Sequence, residues 1–475
     1  MQIPFVSGAY TARSTNIAAD RCVNLYPEIA GTSDAKSAVA LIGCPGSRLL
    51  ATIGTSGAIR GAYAPSSGNA IVVRGSDVYR LSTAWVPTSV GTLLTSSGRV
   101  SIADNGTVAC IVDGTYGYIL NLATNAFEQI TDTDFTAADI VDYIDGYFIF
   151  NRAGTQVFFI SELLGTTFDA LDFASAEGSP DLLVGHIVDH REVLMFGTYS
   201  TEVFYDSGNA DFPIERQNTS IEIGCAAKFS PAKVDNSIVW LGISKQGGPM
   251  VWRMQGYTPV RISTHAVEFA IQGYSDVSDA FAYSYQAEGH SFYVLTFPAG
   301  NATWVYDVST QLWHERAYRD PTTGALGRHR SNCHMYFGGE HVVGDYENGN
   351  IYALDLDCYT DNGDILPAIR AAGHVADSDY MFLYWHSMQV DIEAGVGLVT
   401  GQGIAPVIML DWSDDGGHTW SNEKWASMGA IGKYSARAIW KRLGRSRDRI
   451  PRITITDPVK RVILGAQATL SKGGN

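Results

Sequence analysis

REVLMFGTYSTEVFYD, residues 191–206, carries two runs of β-branched and aromatic residues around the small, turn-prone Gly197-Thr-Tyr-Ser200. That pattern reads as a hairpin, strand then turn then strand. The unit recurs on both sides. Upstream stand NAIVVRGSDVYRL (69–81), VACIVDGTYGYIL (108–120) and YIDGYFIFNRAGTQVFFI (143–160). Downstream stand SIVWLGISKQGGPMVWRM (237–254), SFYVLTFPAGNATWVYD (291–307) and HMYFGGEHVVGDYENGNIYALD (334–355). The second strands begin near Val78, Tyr118, Val157, Val203, Met250, Thr303 and Ile351, at intervals of 40, 39, 46, 47, 53 and 48 residues. Another strand precedes most hairpins, at 59–63, 99–103, 138–142 and 182–186, and a polar one follows some, at 126–130 and 258–262. Three or four strands every 45 residues or so, closed radially, predict a β-propeller. Closure also removes the edges that a large open sheet would expose. The count allows six or seven blades. An irregular run of sandwiches is the alternative that spacing alone leaves open.

Outside the repeats the pattern changes. Residues 361–475 hold longer alternating strands, at 387–393, 407–410 and 452–456, and read as a C-terminal β-sandwich. Residues 1–57 are polar and weakly periodic and read as an extended N-terminal arm, leaving 58–360 for the propeller. The chain of 475 residues is 45% hydrophobic and 17% charged, which excludes a disordered class. Its 49 glycines and 53 aromatic residues suit an all-β protein with many tight turns. No run of about 18 apolar residues predicts a membrane span. The N-terminus has neither a basic nor an apolar leader segment, so no signal peptide is expected. The six cysteines form no CxxC pair and are expected to be reduced, mostly buried thiols.

Charge is unevenly placed. The net charge is −16, yet from Lys433 onward eleven Lys and Arg face two Asp, a local +9 that leaves −25 on the rest. A protein that grips nucleic acid over most of its surface should be basic. An acidic body with a basic terminal segment suits docking to other proteins. Within that segment Trp440, Lys441, Arg442, Arg445 and Arg447 combine an aromatic anchor with charged neighbours, the composition of interface hot spots. The competing reading is a solvated strand face with Trp440 in its own core.

The sharpest local motif is Ser413-Asp-Asp-Gly-Gly-His-Thr-Trp420, an Asp-box pattern. Ser413, Asp415, Gly417, Thr419 and Trp420 read as one structural turn: the Asp415 carboxylate accepts turn N–H groups, Gly417 supplies a positive φ, and Trp420 packs under the hairpin. A calcium loop would need about six oxygen ligands, which the flanks do not offer. Sialidase chemistry needs converging arginines, and residues 62–184 hold only Arg74, Arg80, Arg99 and Arg152. Other glycosidases need only two carboxylates, so Asp132, Asp134, Asp139, Asp142 and Asp145 keep that class open. His186 and His190 share a strand face about 13 Å apart, too far for one metal. No GxSxG, HExxH or P-loop occurs. No catalytic residue, cofactor or metal is therefore expected.

Several segments in order resemble the packaged-DNA stabilisation proteins of short-tailed bacteriophages, also called tail accessory or head-closure hub proteins. They are DRCVNLYP (20–27), CPG (44–46), IRGAY (59–63), GCAAK (224–228), NSIVW (236–240), the Gly-Gly-Pro at 247–249 and the basic IWKRLGR (439–445). The resemblance implies a non-enzymatic virion protein of the tail, assembled in the host bacterial cytoplasm. It implies a homo-oligomeric ring, a hexamer, below the portal and its adaptor protein. That ring closes the head, helps retain packaged DNA and carries the tail needle and tailspikes or fibres. DNA would pass through without specific binding. A virion-associated glycan-binding or glycan-cleaving propeller is the other reading, since the Asp box is fuller than the family pattern.

Overall fold

The structure is a computed structural model and describes residues 1–32, 35–54, 56–209 and 212–473. Among these, one eight-residue helix, His265–Gln272, interrupts an otherwise all-β chain. Seven blades of about four strands each follow the repeats, the sixth and seventh continuing into larger sheets, and the innermost strands define blades 1 to 7. These strands are Ile59–Tyr63, Ser101–Asp104, Ala138–Ile144, Leu183–Asp189, Ala232–Val234, Phe281–Ala287 and Ser331–Phe337. Each blade continues outward by antiparallel hairpins, as in blade 3, which runs through Tyr147–Arg152 and Val157–Ile160 to Phe173–Ser175. The strands are short and rich in Val, Ile, Phe and Tyr because both faces of a blade are covered by its neighbours.

The ring closes. Ser331–Phe337 of blade 7 packs back on Ile59–Tyr63 of blade 1, and every seam carries a polar staple. The Asn332 amide donates to the Ile59 carbonyl across 7–1 (2.8 Å), Tyr63 hydroxyl to Asp104 across 1–2 (2.7 Å) and Ser101 hydroxyl to the Val141 carbonyl across 2–3 (3.2 Å). Arg191 pairs with Asp145 across 3–4 (2.9 Å), and His190 Nε2 meets Asn236 across 4–5 (2.8 Å). Ser284 donates to the Lys233 carbonyl across 5–6 (2.6 Å), and His341 Nε2 meets the Gln286 carbonyl across 6–7 (2.7 Å).

Side chains reach across the centre of the ring. Arg99, entering blade 2, donates to the Asn332 carbonyl of blade 7 at 2.7 Å and stacks 4.0 Å from the Phe281 ring centre in blade 6. A side chain from blade 2 that reaches blades 6 and 7 must cross the axis. Lys228, ahead of blade 5, reaches Asp139 of blade 3 at 2.7 Å and borders Phe229.

Residues 1–57 form strands that join both parts. Gly46–Thr52 is the outermost strand of blade 7, paired antiparallel with Asn350–Asp355. Ala19–Val23 lies between Leu312–Glu315, the outer strand of blade 6, and Ala368–Ala371. The hairpin Leu25–Ile29 and Val39–Gly43 pairs with Val462–Lys472. Each use covers an edge that would otherwise be open. His290 of blade 6 adds an ionic clasp: its ring meets Asp307 at 2.8 Å and Glu28 of this hairpin, and the bond to Asp307 leads in raising its pKa to about 9.

Beyond residue 360 two sheets face each other. One is built on Leu383–Ile392 between Val462–Lys472 and Ala438–Lys441, the other on Asp448–Ile455 between Ala368–Ala371 and Val407–Ser413. Trp385, Met388, Trp440, Ile408, Leu410 and Ile453 fill the space between them, and the same core runs on into Tyr293, Leu295 and Trp313 of blade 6. Arg370 is fully buried at this junction. It donates to the carbonyls of Phe5, Gly8 and Arg21, to the Ser7 hydroxyl and to Asp20.

Candidate assembly surface

The Asp box closes the turn after Val407–Ser413. Asp415 Oδ1 accepts from the Ser413 hydroxyl (2.7 Å) and from the His418 and Thr419 N–H groups (3.0 and 2.9 Å), and Oδ2 from the Thr419 hydroxyl (2.6 Å). The Thr419 hydroxyl leads the causes that hold this carboxyl well below the usual carboxylate range. Gly416 and Gly417 adopt φ of +74° and +94°, where a side chain would be strained. Trp420 packs on Ala19, Ala371 and Ile450 and lies 3.6 Å under Arg452, itself paired with Asp411. Both carboxylate oxygens of Asp415 are thus used inside the turn. Among the described residues no group of three or more His, Cys, Asp or Glu converges as for a metal.

The basic segment divides by depth. Trp440, expected as a surface anchor, is a core residue instead: its side chain is buried between the sheets and its indole N–H donates to the Lys424 carbonyl at 2.7 Å. The alternation of Ala438–Lys441 points Trp440 inward and Lys441 outward. Arg449 is internal too, held by Asp414 at 2.6 and 2.8 Å and by the Leu443 carbonyl. Lys441, Arg442, Arg445 and Arg447 stay exposed. Arg442 and Gly444 take φ of +58° and +77° in a tight turn, anchored by Leu443, whose N–H bonds the Trp385 carbonyl. Arg445 and Arg447 both lie 4.5 Å from the Phe382 ring, and Arg447 also donates to the Tyr380 carbonyl. Tyr380 and Tyr384 are exposed beside them. This aromatic-rimmed basic face escaped sequence reasoning because Tyr380, Phe382 and Tyr384 lie some 60 residues upstream and only pairing of Leu383–Ile392 with Arg445–Ser446 brings them in. Among the described residues none of the four cations has a carboxylate within ion-pair distance. The triple variant Arg442→Glu/Arg445→Glu/Arg447→Glu is therefore expected to stay folded, its stability lowered by no more than about 1.5 kcal/mol in total. It should nevertheless fail to join assembled tails, measured by incorporation into particles. Normal incorporation would remove these side chains from the contact.

The other candidates disperse. Asp132 caps the Asp134 and Phe168 N–H groups, Asp139 pairs with Lys228, Asp142 accepts from Val188 N–H, and Asp145 holds Arg191. These four are committed to different contacts, whereas Asp134 is exposed and lines a pocket of blade 3 with Asp169 and Arg152. Arg74 pairs with Asp77 of its own blade, while Arg99 crosses the axis. His186 is buried, which lowers its pKa to about 4, and His190 sits in the turn between strands. Five of the six free cysteines are buried and Cys358 is half-buried.

Comparison with solved structures returns matches at low identity. The WD40 propeller domain of Doa1 has 12% identity and a TM-score of 0.40, covering 65% of this chain and 98% of its own. The N-terminal domain of Nup159 has 11% identity and a TM-score of 0.41, covering 71% and 100%. The designed protein Ika8 has 12% identity and a TM-score of 0.38, covering 75% and 100%. No curated protein matches the chain. Family models match almost its whole length: residues 1–359 match the β-propeller of bacteriophage P22 Gp10, and residues 369–471 match its β-sandwich. With the closed ring of blades followed by two facing sheets, these matches make the chain a member of the P22 Gp10 family of phage structural proteins.

Proposed function

We propose that the chain is a subunit of a ring-shaped tail hub. Six copies sit below the portal and its adaptor protein, close the head, help to retain packaged DNA and carry the tail needle and tailspikes. The observation that carries this reading is the family match over both the propeller and the sandwich. The role is structural rather than enzymatic. Side chains that bridge separate blades across the propeller centre leave no bore for a duplex within one subunit, so the genome passes through the centre of the ring of subunits. With −25 outside the C-terminal segment, few cations are available to release counterions from phosphate. The wall lets DNA slide, and retention comes from closure of the tail rather than from grip. Electron microscopy of the intact tail should show propeller-and-sandwich subunits ringing the axis, with an acidic lumen. The purified chain should not bind duplex DNA at physiological salt. Micromolar binding, a lumen lined mainly by Lys and Arg, or subunits lying off the axis would overturn the proposal.

A further inference from the structure

We propose that copies join head to tail, the 161–173 loop side of blade 3 in one copy docking on the sandwich face around Trp425 and Tyr434 in the next. The inference rests on the oligomeric reading above and names the surfaces that make the oligomer. Blade 3 ends in the loop 161–172 and the three-residue strand Phe173–Ser175. Leu163, Leu164, Leu171 and Phe173 are each half exposed or more. Leu164 takes a φ of +55°, unusual for a bulky residue, in a turn fixed by its N–H to the Gly146 carbonyl at 2.8 Å. A leucine held in an unfavourable conformation with its side chain 70% exposed gains little from its own chain. It gains from burial against another.

The second surface lies on the sandwich. Trp425, on the edge strand Lys424–Ser427, and Ile431 and Tyr434, in the loop after it, are each more than half exposed. Large apolar side chains exposed within ten residues of one another offer a docking surface.

Charge selects what covers them. Residues 161–177 hold four Asp and Glu and no Lys or Arg, with Arg152 beside Asp169 and Phe173, whereas residues 424–447 hold seven Lys and Arg and no Asp or Glu, with Glu423 beside Trp425. All seven of those cations are exposed. Asp172 shows the crowding at blade 3: burial first, then the Asp169 and Glu162 charges, raise its pKa. One surface is therefore apolar and acidic and the other apolar and basic, the complement that a second copy supplies.

Position excludes any other arrangement within the chain. The sandwich is attached through Leu312–Glu315 of blade 6 and Gly46–Thr52 of blade 7. Counted around the ring, blade 3 is three blades from each, on the far side of the propeller. The two surfaces cannot meet in one subunit, and they are different surfaces. Their pairing is heterologous, and a heterologous contact whose rotation closes makes a ring.

The test is sedimentation velocity of the full-length chain at low salt, with two variants that each lose one surface. One is Leu164→Glu/Leu171→Glu and the other Trp425→Glu/Tyr434→Glu, each checked by its melting curve. Wild type should grow beyond a dimer as concentration rises to about 100 μM, and less so as salt is added. Each variant alone should associate at least tenfold more weakly. The two mixed should form a one-to-one pair that grows no further, because only one good contact remains between them. If either apolar variant unfolds, charge reversal replaces it. Arg442→Glu/Arg445→Glu/Arg447→Glu should block growth, and Glu162→Lys/Asp169→Lys/Glu177→Lys on the same chain should restore it. Growth of wild type that the variants leave intact overturns this contact while the oligomeric hub stands. A wild type that stays monomeric throughout also overturns it, and imaging of the tail then judges the hub separately.

Discussion

Deletion of residues 1–52 is expected to abolish folding rather than to trim the chain. The segment contributes Ile3, Phe5, Cys22, Val23, Leu25, Tyr26 and Leu41 to the core, all essentially inaccessible. Burying side chains of this kind stabilises by about 1.5–3 kcal/mol each, so their loss amounts to roughly 10–20 kcal/mol. Whole domains are stable by only about 5–15 kcal/mol. The deletion also strips Asn350–Asp355 of its outer partner and leaves Arg370 without its acceptors. Expression followed by circular dichroism and gel filtration reads the outcome. A soluble truncated chain with a cooperative melt close to that of the full chain would show that the segment is only an accessory.

Replacing Arg370 with Met should be the most damaging single substitution at the junction. The guanidinium makes five bonds at 2.7–3.4 Å, four of them to groups of residues 5–20 and one to the Arg21 carbonyl. Methionine fills similar space and leaves the Phe5 and Gly8 carbonyls and the Asp20 carboxylate without that partner. Breaking a buried pair in this way costs about 3–5 kcal/mol. The exposed Arg437, replaced likewise, should change stability by about 0.5 kcal/mol or less. Denaturant unfolding of both variants beside wild type measures the difference. A cost below about 1 kcal/mol for Arg370→Met would mean that the arm docks by its apolar contacts alone.

Local chemistry explains what the sequence made legible. The hairpin read at 191–206 is Glu192–Gly197 and Thr201–Asp206, and the strand read at 59–63 is Ile59–Tyr63. Alternation and turn residues act over a few positions, so they survive in a linear reading. The pair Gly247–Gly248 opens the strand Gly247–Gln255, because the reversal falls one step earlier at Lys245–Gln246. Gly338 and Gly339 do occupy a turn, with φ of +61° and +82°. The closing strand Gly46–Thr52 left no local trace: GSRLLAT has no alternation, and its partner lies some 300 residues away. Trp440 was ambiguous for a related reason. A tryptophan between Ile439 and Lys441 fits either face until the neighbouring Leu383–Ile392 fixes which side is core. The Asp box was legible because all of its bonds lie within seven residues.

The closure of blade 7 also sets a clock on synthesis. Gly46–Thr52 leaves the ribosome early, and Asn350–Asp355 follows about 300 residues later. At roughly 5–20 residues per second the first strand waits about 15–60 s for its partner. Through that interval six blades can form while the ring stays open, with Ile59 and the inner strand of blade 1 lacking the neighbour that blade 7 supplies. Crowded polysomes making this chain would hold many such open rings side by side, each with unpaired strand edges able to add a strand from another chain. Slow translation of the last blade is therefore expected to lengthen that window and lower the fraction of chains that close.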